Sequence, residues 1–145
     1  MKMGVHLGFF LEYIPSSQHD CQLQITFEER ERLHRYIEWI RDHCQIFLIH
    51  SPGDEVLFGG CLSAGRGFAH VAPNGDLTPC PVSLLATHNL KNSNLREDLM
   101  SPLFTRIRQD HRLLETEGSP CALSVHTEEL AKLAKEVGAY QNSCW

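Results

Sequence analysis

A chain of 145 residues has room for one modest domain, or for one piece of a larger one, and can bury roughly two-thirds of its unfolded surface. Hydrophobic residues at 42%, charged residues at 21%, ten glycines and seven prolines exclude disordered, collagen-like and low-complexity classes. Eighteen acidic against thirteen basic side chains give a net charge of −5, which speaks against nucleic acid or an anionic membrane as partner.

The first predicted element is a strand over 4–14, where Val5, Leu7, Phe9, Leu11 and Tyr13 alternate with Phe10 and Ile14. Apolar residues on both alternations fit a parallel strand covered on both faces. Pro15 and two serines end it. Thr26 and Glu29 form a capping box that opens a helix, whose apolar stripe is Leu33, Tyr36, Ile37, Ile40 and Cys44. A short buried strand over 45–50 follows, completing a βαβ unit.

After Ser51-Pro52-Gly53-Asp54 the pattern changes. Gly59-Gly60-Cys61 and Gly65-Arg66-Gly67 predict an irregular loop. Strands over 68–72 and 77–79 flank Pro73-Asn74-Gly75-Asp76, a hairpin turn with positive φ expected at both Asn74 and Gly75. A helical piece over 95–100 precedes a helix capped by Ser101 with Pro102 at its first position. The buried side of that helix is read as Leu103, Phe104, Ile107, His111 and Leu114. The last helix begins at Thr127 and stops at Gly138, burying Leu130, Leu133, Ala134 and Val137.

The fold class is therefore α/β, passing to α+β in the C-terminal part, with units over 1–54 and 55–145. A lone βαβ unit leaves sheet edges and an apolar face uncovered, so the chain is expected to begin in the middle of a domain. No secretory signal is read at its start, no apolar run approaches the roughly 20 residues of a membrane span, and a cytoplasmic location is expected.

Six cysteines stand at 21, 44, 61, 80, 121 and 144. In a reducing compartment they are expected to be free, metal-bound or redox-active rather than paired. Cys44 ends the helical stripe and reads as a core thiol, and Cys21 lies in a polar loop. Cys61, Cys80 and Cys121 each sit in irregular backbone beside Gly or Pro, where amide N–H groups can reach a thiolate. No two of the nine histidines form a ligand pair; His34, His70 and His111 read as structural.

At these cysteines the chain resembles a known family. The run from Gly59 to Pro81, with Cys61, thirteen residues, Gly75, four residues and Cys80, resembles the SPASM/twitch extension of radical S-adenosylmethionine (SAM) enzymes. Residues 82–125, with a short helix, Ser101-Pro102-Leu103, a second helix and Gly118-Ser119-Pro120-Cys121, are similar to its continuation. Residues 4–50 are similar to the last strands and helix of the partial TIM barrel that precedes it. The resemblance implies a β-hairpin-plus-helices extension in which Cys61, Cys80 and Cys121 hold an auxiliary 4Fe-4S cluster for electron relay or substrate coordination.

Two departures from the family pattern stand out. The SAM-cleaving Cys-x3-Cys-x2-Cys motif is absent, so this chain alone is expected to be inactive and to need the missing N-terminal barrel, which in the intact enzyme would bind SAM. Ser124 stands where a second cysteine follows Cys121, leaving an open iron or a fourth ligand from Ser124, His126 or Cys144; zinc, or a fold kept without metal, remain alternatives. Glu12 and Tyr13 at the first strand's end, and Arg66 in the glycine loop, are the candidate substrate-facing residues, for a peptide or small molecule. A non-catalytic metal- or partner-binding module is the competing function.

Overall fold

The structure is a computed structural model that describes residues 4–15, 22–116 and 118–143. The described residues form a mixed α/β chain of small sheets and five α-helices. Strand β1 (Leu7–Leu11) pairs in parallel with β2 (Phe47–Ser51), Leu7 opposite Phe47, through helix α1 (Phe27–His43). The capping box opens α1: the Glu29 amide donates to Thr26 Oγ1 at 3.2 Å and the Thr26 amide to Glu29 Oε2 at 2.8 Å.

The sheet is narrower than a strand covered on both faces requires. Leu7, Phe9 and Leu11 are exposed, Leu11 to 75%, and Phe47 to 67%, while the alternate positions Gly8 and Phe10 are half-buried. Among the described residues, two strands and one helix give cover to only one face. Along α1, Ile37 is buried, Leu33, Ile40 and Cys44 are half-buried, and Tyr36 is exposed, so the predicted stripe is shallower than a core stripe.

A 3-10 helix over Gly53–Phe58 leads into the loop that carries Cys61. Strands β3 (His70–Val71) and β4 (Leu77–Thr78) form the predicted hairpin, shorter than expected. Only Gly75 of the turn has positive φ, at +96°; Asn74 does not. Pro73 and Asn74 are the central residues of an Ala72–Gly75 turn, closed by the Gly75 amide on Ala72 O at 2.8 Å. The chain continues through β5 (Leu85–Ala86), α2 (Leu95–Leu99) and α3 (Pro102–Gln109), capped as predicted by Ser101. Asp110 then caps a 3-10 turn (His111–Leu114) that buries Leu113 and Leu114 but leaves His111 exposed, unlike its predicted place in a buried stripe. Helices α4 (Ala122–Val125) and α5 (Thr127–Val137) follow, α5 ending at Gly138 with φ +67°. Strand β6 (Tyr140–Gln141) returns to pair antiparallel with β5. Among the described residues no helix is long and apolar enough to cross a membrane.

The core gathers Leu77 of β4, Leu103, Phe104 and Ile107 of α3, Leu113 and Leu114, Leu123 of α4, and Leu130 and Leu133 of α5. Beside it, Asp76 closes the chain's C-terminal end onto the hairpin. Its buried carboxylate accepts from Asn74 Nδ2 at 2.7 Å, Asn89 Nδ2 at 2.8 Å and the Tyr140 hydroxyl at 2.7 Å. Burial alone would raise this carboxyl, but the Tyr140, Asn89 and Asn74 donors outweigh it and hold it below the ordinary range. Burial and the bond to Asp76 push the Tyr140 phenol up to about 12.

Because Asp76 is depressed in the folded state, its contribution is present above the unfolded carboxyl value of about 3.9 and is lost as pH falls below it. In urea titrations between pH 6 and pH 3, the wild type should lose more stability than Asp76→Asn. Parallel curves for the two proteins would refute the coupling. Tyr140→Phe should cost roughly 1–2 kcal/mol at neutral pH by removing one donor to a carboxylate.

Candidate functional site

The backbone brings Cys61 to the core in a way its glycines explain. Gly59 and Gly60 have φ of +71° and +102°. A Cβ on Gly60 would stand 2.5 Å from Leu114 O, the carbonyl that accepts the Cys61 amide at 2.8 Å, so only glycine lets the loop lie against the 3-10 turn. Beyond Cys61 the chain folds into a tight turn: the Gly67 amide reaches Leu62 O at 2.9 Å and the Arg66 amide reaches Ser63 O at 3.1 Å. Ala64, fully buried with φ of +59°, donates its amide to Pro79 O at 2.9 Å and so ties this turn to the residue before Cys80.

Cys80 ends the segment after β4. Its sulfur accepts the Ser83 amide at 3.3 Å, and the Val82 amide also faces it. Cys121 is the N-cap of α4, its own amide donating to Ser119 Oγ at 3.3 Å. All three thiols are buried in the same hydrophobic cluster. Each pair among them is close enough for the charge of one to bear on another.

Burial dominates their chemistry. It pushes the Cys80 thiol up to about 12, against the pull of the Ser83 and Val82 amides. It also raises Cys61; the negative charge of Glu55 and the Cys121 sulfur add to this, while the Ser63 hydroxyl and amide oppose it. Glu55, itself buried and raised by that burial, takes hydrogen bonds from the Cys61 thiol and the Leu62 amide and is attracted by Arg66. Uncoordinated, the Cys61 and Cys80 thiols are held protonated in this setting.

Cysteine thiolates are the donors that iron–sulfur clusters use. Three sulfurs from three distant segments are shielded from solvent, two of them faced by backbone amides, and the Ser63 hydroxyl, sealed from solvent beside Cys61, has no oxygen or nitrogen partner. Among the described residues no three His, Cys, Asp or Glu side chains form a group that could hold a metal ion.

The other sequence candidates have local partners. The Ser124 hydroxyl donates to Cys121 O at 2.9 Å, and His126 Nε2 lies 3.0 Å from Glu115 O. Cys144 lies outside the described residues. Arg66 is turned onto its own loop, donating to Cys61 O at 2.9 Å, Gly60 O at 3.2 Å and the Phe58 carbonyl. Tyr13 is exposed.

The Glu12 side chain is 2% exposed, and it organises a second locus that the sequence reading only half anticipated. One carboxylate oxygen takes Arg30 Nε at 2.7 Å, and the other lies 3.0 Å from His50 Nε2. Arg30 also donates to the Gly118 carbonyl, three residues before Cys121. These groups wall a cavity of about 370 Å³ at the C-terminal ends of β1 and β2, with His34, Leu57 and Gly118 among its other lining residues. That is where open parallel sheets place ligands. His50 and Arg30 were missed from sequence; a histidine on the buried alternation of β2, with an acid at the neighbouring strand end, was the available signal. No family model matches the chain, and no curated protein or solved structure matches it significantly.

Proposed function

We propose that this chain is the C-terminal part of a radical SAM enzyme, in which Cys61, Cys80 and Cys121 hold an auxiliary 4Fe-4S cluster. The observation that carries this reading is the burial of three thiols, contributed by segments far apart in sequence, within one electrostatically connected core cluster. When bound, such a cluster supplies one-electron transfer or an open iron for substrate. The residues of this chain exclude water from the sulfurs, deliver the Ser83 and Val82 amides to Cys80, and anchor Cys61 against Leu114.

The two-stranded sheet, with exposed Leu7, Phe9, Leu11 and Phe47, supports completion by further parallel strands from the missing N-terminal barrel, where SAM would bind. The Glu12 cavity is then the part of this chain that would meet a peptide or small-molecule substrate. A cytoplasmic setting belongs to the same reading. A second reading, a non-catalytic metal- or partner-binding module, is favoured by Ser124, whose hydroxyl is turned to a backbone carbonyl.

The test is metal content. Purified without oxygen, the wild type should carry iron and acid-labile sulfide with a brown chromophore, and Cys80→Ala should lose most of both. Equal, negligible iron in the two proteins would refute the ligand assignment.

A further inference from the structure

The cavity of about 370 Å³ at the C-terminal ends of β1 and β2 has an uneven lining. Its buried groups are already engaged. One Glu12 oxygen takes Arg30 Nε, the other lies on His50 Nε2, and Arg30 Nη1 donates to the Gly118 carbonyl. The imidazole is held there by the chain beside it: a Cβ on Gly53, another lining residue, would overlap His50 Nδ1. These contacts fix the shape of the cavity and leave its exposed lining to meet a ligand.

That lining comes from two elements. Phe27, Arg30, Glu31 and His34 stand at i, i+3, i+4 and i+7 of α1, so they share one face of the helix. Phe27 is 63% exposed, and the exposed Glu31 enters none of the ion pairs among the described residues. The 3-10 helix adds the exposed aliphatic side chains of Val56 and Leu57. Arg30 and Glu12 offset one another, so with histidines counted neutral Glu31 leaves the lining one surplus negative charge, in a chain whose net charge is −5. An aromatic ring one helical turn from a carboxylate suits an organic ammonium ion. The ring face attracts the cation, the carboxylate accepts its N–H groups, and aliphatic neighbours shelter its apolar body.

Resting on the reading of this cavity as a substrate site, and independent of the cluster, we propose that it takes a small organic ammonium ion, an amine carried on an apolar body. The nitrogen lies by Phe27 and Glu31, and the body lies against Val56 and Leu57. Arg30 Nη2, which makes no bond among the described residues, is the charged donor that would favour an anion instead, so the test sets a carboxylate against the amine.

The experiment titrates the full chain, labelled with nitrogen-15, with benzylamine, benzyl alcohol and benzoate at pH 7. The three share one ring and differ in charge; amide shifts report binding, and iron is counted in the same samples. Benzylamine is expected to shift the Gly53 and Gly118 amides and to bind about fivefold or more tightly than benzoate, with benzyl alcohol weaker than the amine. Glu31→Gln should weaken benzylamine about threefold, while Glu128→Gln, which removes the same charge from an exposed position of α5, should leave it unchanged. Benzoate or benzyl alcohol binding as tightly as benzylamine would overturn the ammonium assignment and leave the cavity a ligand site. So would an unchanged benzylamine affinity in Glu31→Gln. No shift at either glycine with any of the three would overturn both. Binding by a preparation without iron leaves this inference standing and removes the cluster, and iron without binding does the reverse.

Discussion

Phe104→Ala is expected to destabilise the chain by about 3–5 kcal/mol, enough to leave a domain of ordinary stability largely unfolded. Phe104 is 1% exposed, lies in α3 and belongs to the cluster that holds all three buried cysteines. Its Cδ1 stands 3.4 Å from where a Cβ would be on Gly65, in the turn after Cys61, so the vacancy would open directly beside the sulfur-bearing loop. Urea denaturation followed by far-UV circular dichroism measures the loss. Met100→Ala, at a residue 68% exposed, is the comparison and should stay within about 0.5 kcal/mol of wild type. A similar small change at Phe104 would mean that this core is not the one that holds the fold together.

Glu12→Ala should cost roughly 3 kcal/mol or more, through a different mechanism. The Glu12 side chain is 2% exposed and His50 1%, so removing the carboxylate strands a buried imidazole and leaves the mostly buried Arg30 guanidinium only the Gly118 carbonyl. Glu12→Gln keeps the shape and one acceptor oxygen and should fall between wild type and Glu12→Ala. The decisive measurement is a double-mutant cycle with His50→Ala. The two single losses should exceed the double loss by roughly 1 kcal/mol or more, because once either partner is gone the other has less to lose. Strict additivity would show that Glu12 and His50 do not act on one another in the folded protein.

Local chemistry was legible in the sequence and distant pairing was not. Thr26 with Glu29, Ser101 with Pro102, and Gly138 each act within one helical turn, so the chain itself carries the signal for where α1, α3 and α5 begin or end. His111 was misplaced for an equally local reason. The Asp110 side chain accepts the Arg112 amide at 3.2 Å and starts a new 3-10 turn, breaking the helical period that would have buried the histidine. The β5–β6 pair joins residues 85–86 to 140–141, and nothing in either dipeptide announces the other. The uncovered face of β1 could not be read from its apolar alternation either, since alternation reports what a strand would bury and not what is there to cover it.

The same division holds at the sites. Cys61, Cys80 and Cys121 were singled out by their glycine and proline neighbours, which the backbone needs locally. Glu55, Ser63 and His50 were overlooked because their importance lies in burial and in contacts that a strand or loop pattern does not encode.

The bare side of the first sheet also governs how the chain behaves in bulk. Leu7, Phe9, Leu11 and Phe47 form an oily, hydrogen-bonding-competent ledge with unsatisfied strand borders, the kind of template on which identical molecules stack. Concentrated samples will therefore tend towards turbidity, more steeply in sulfate or phosphate buffers, which drive greasy surfaces together, and charge-bearing replacements at Leu11 or Phe47 are the first remedy for keeping them clear.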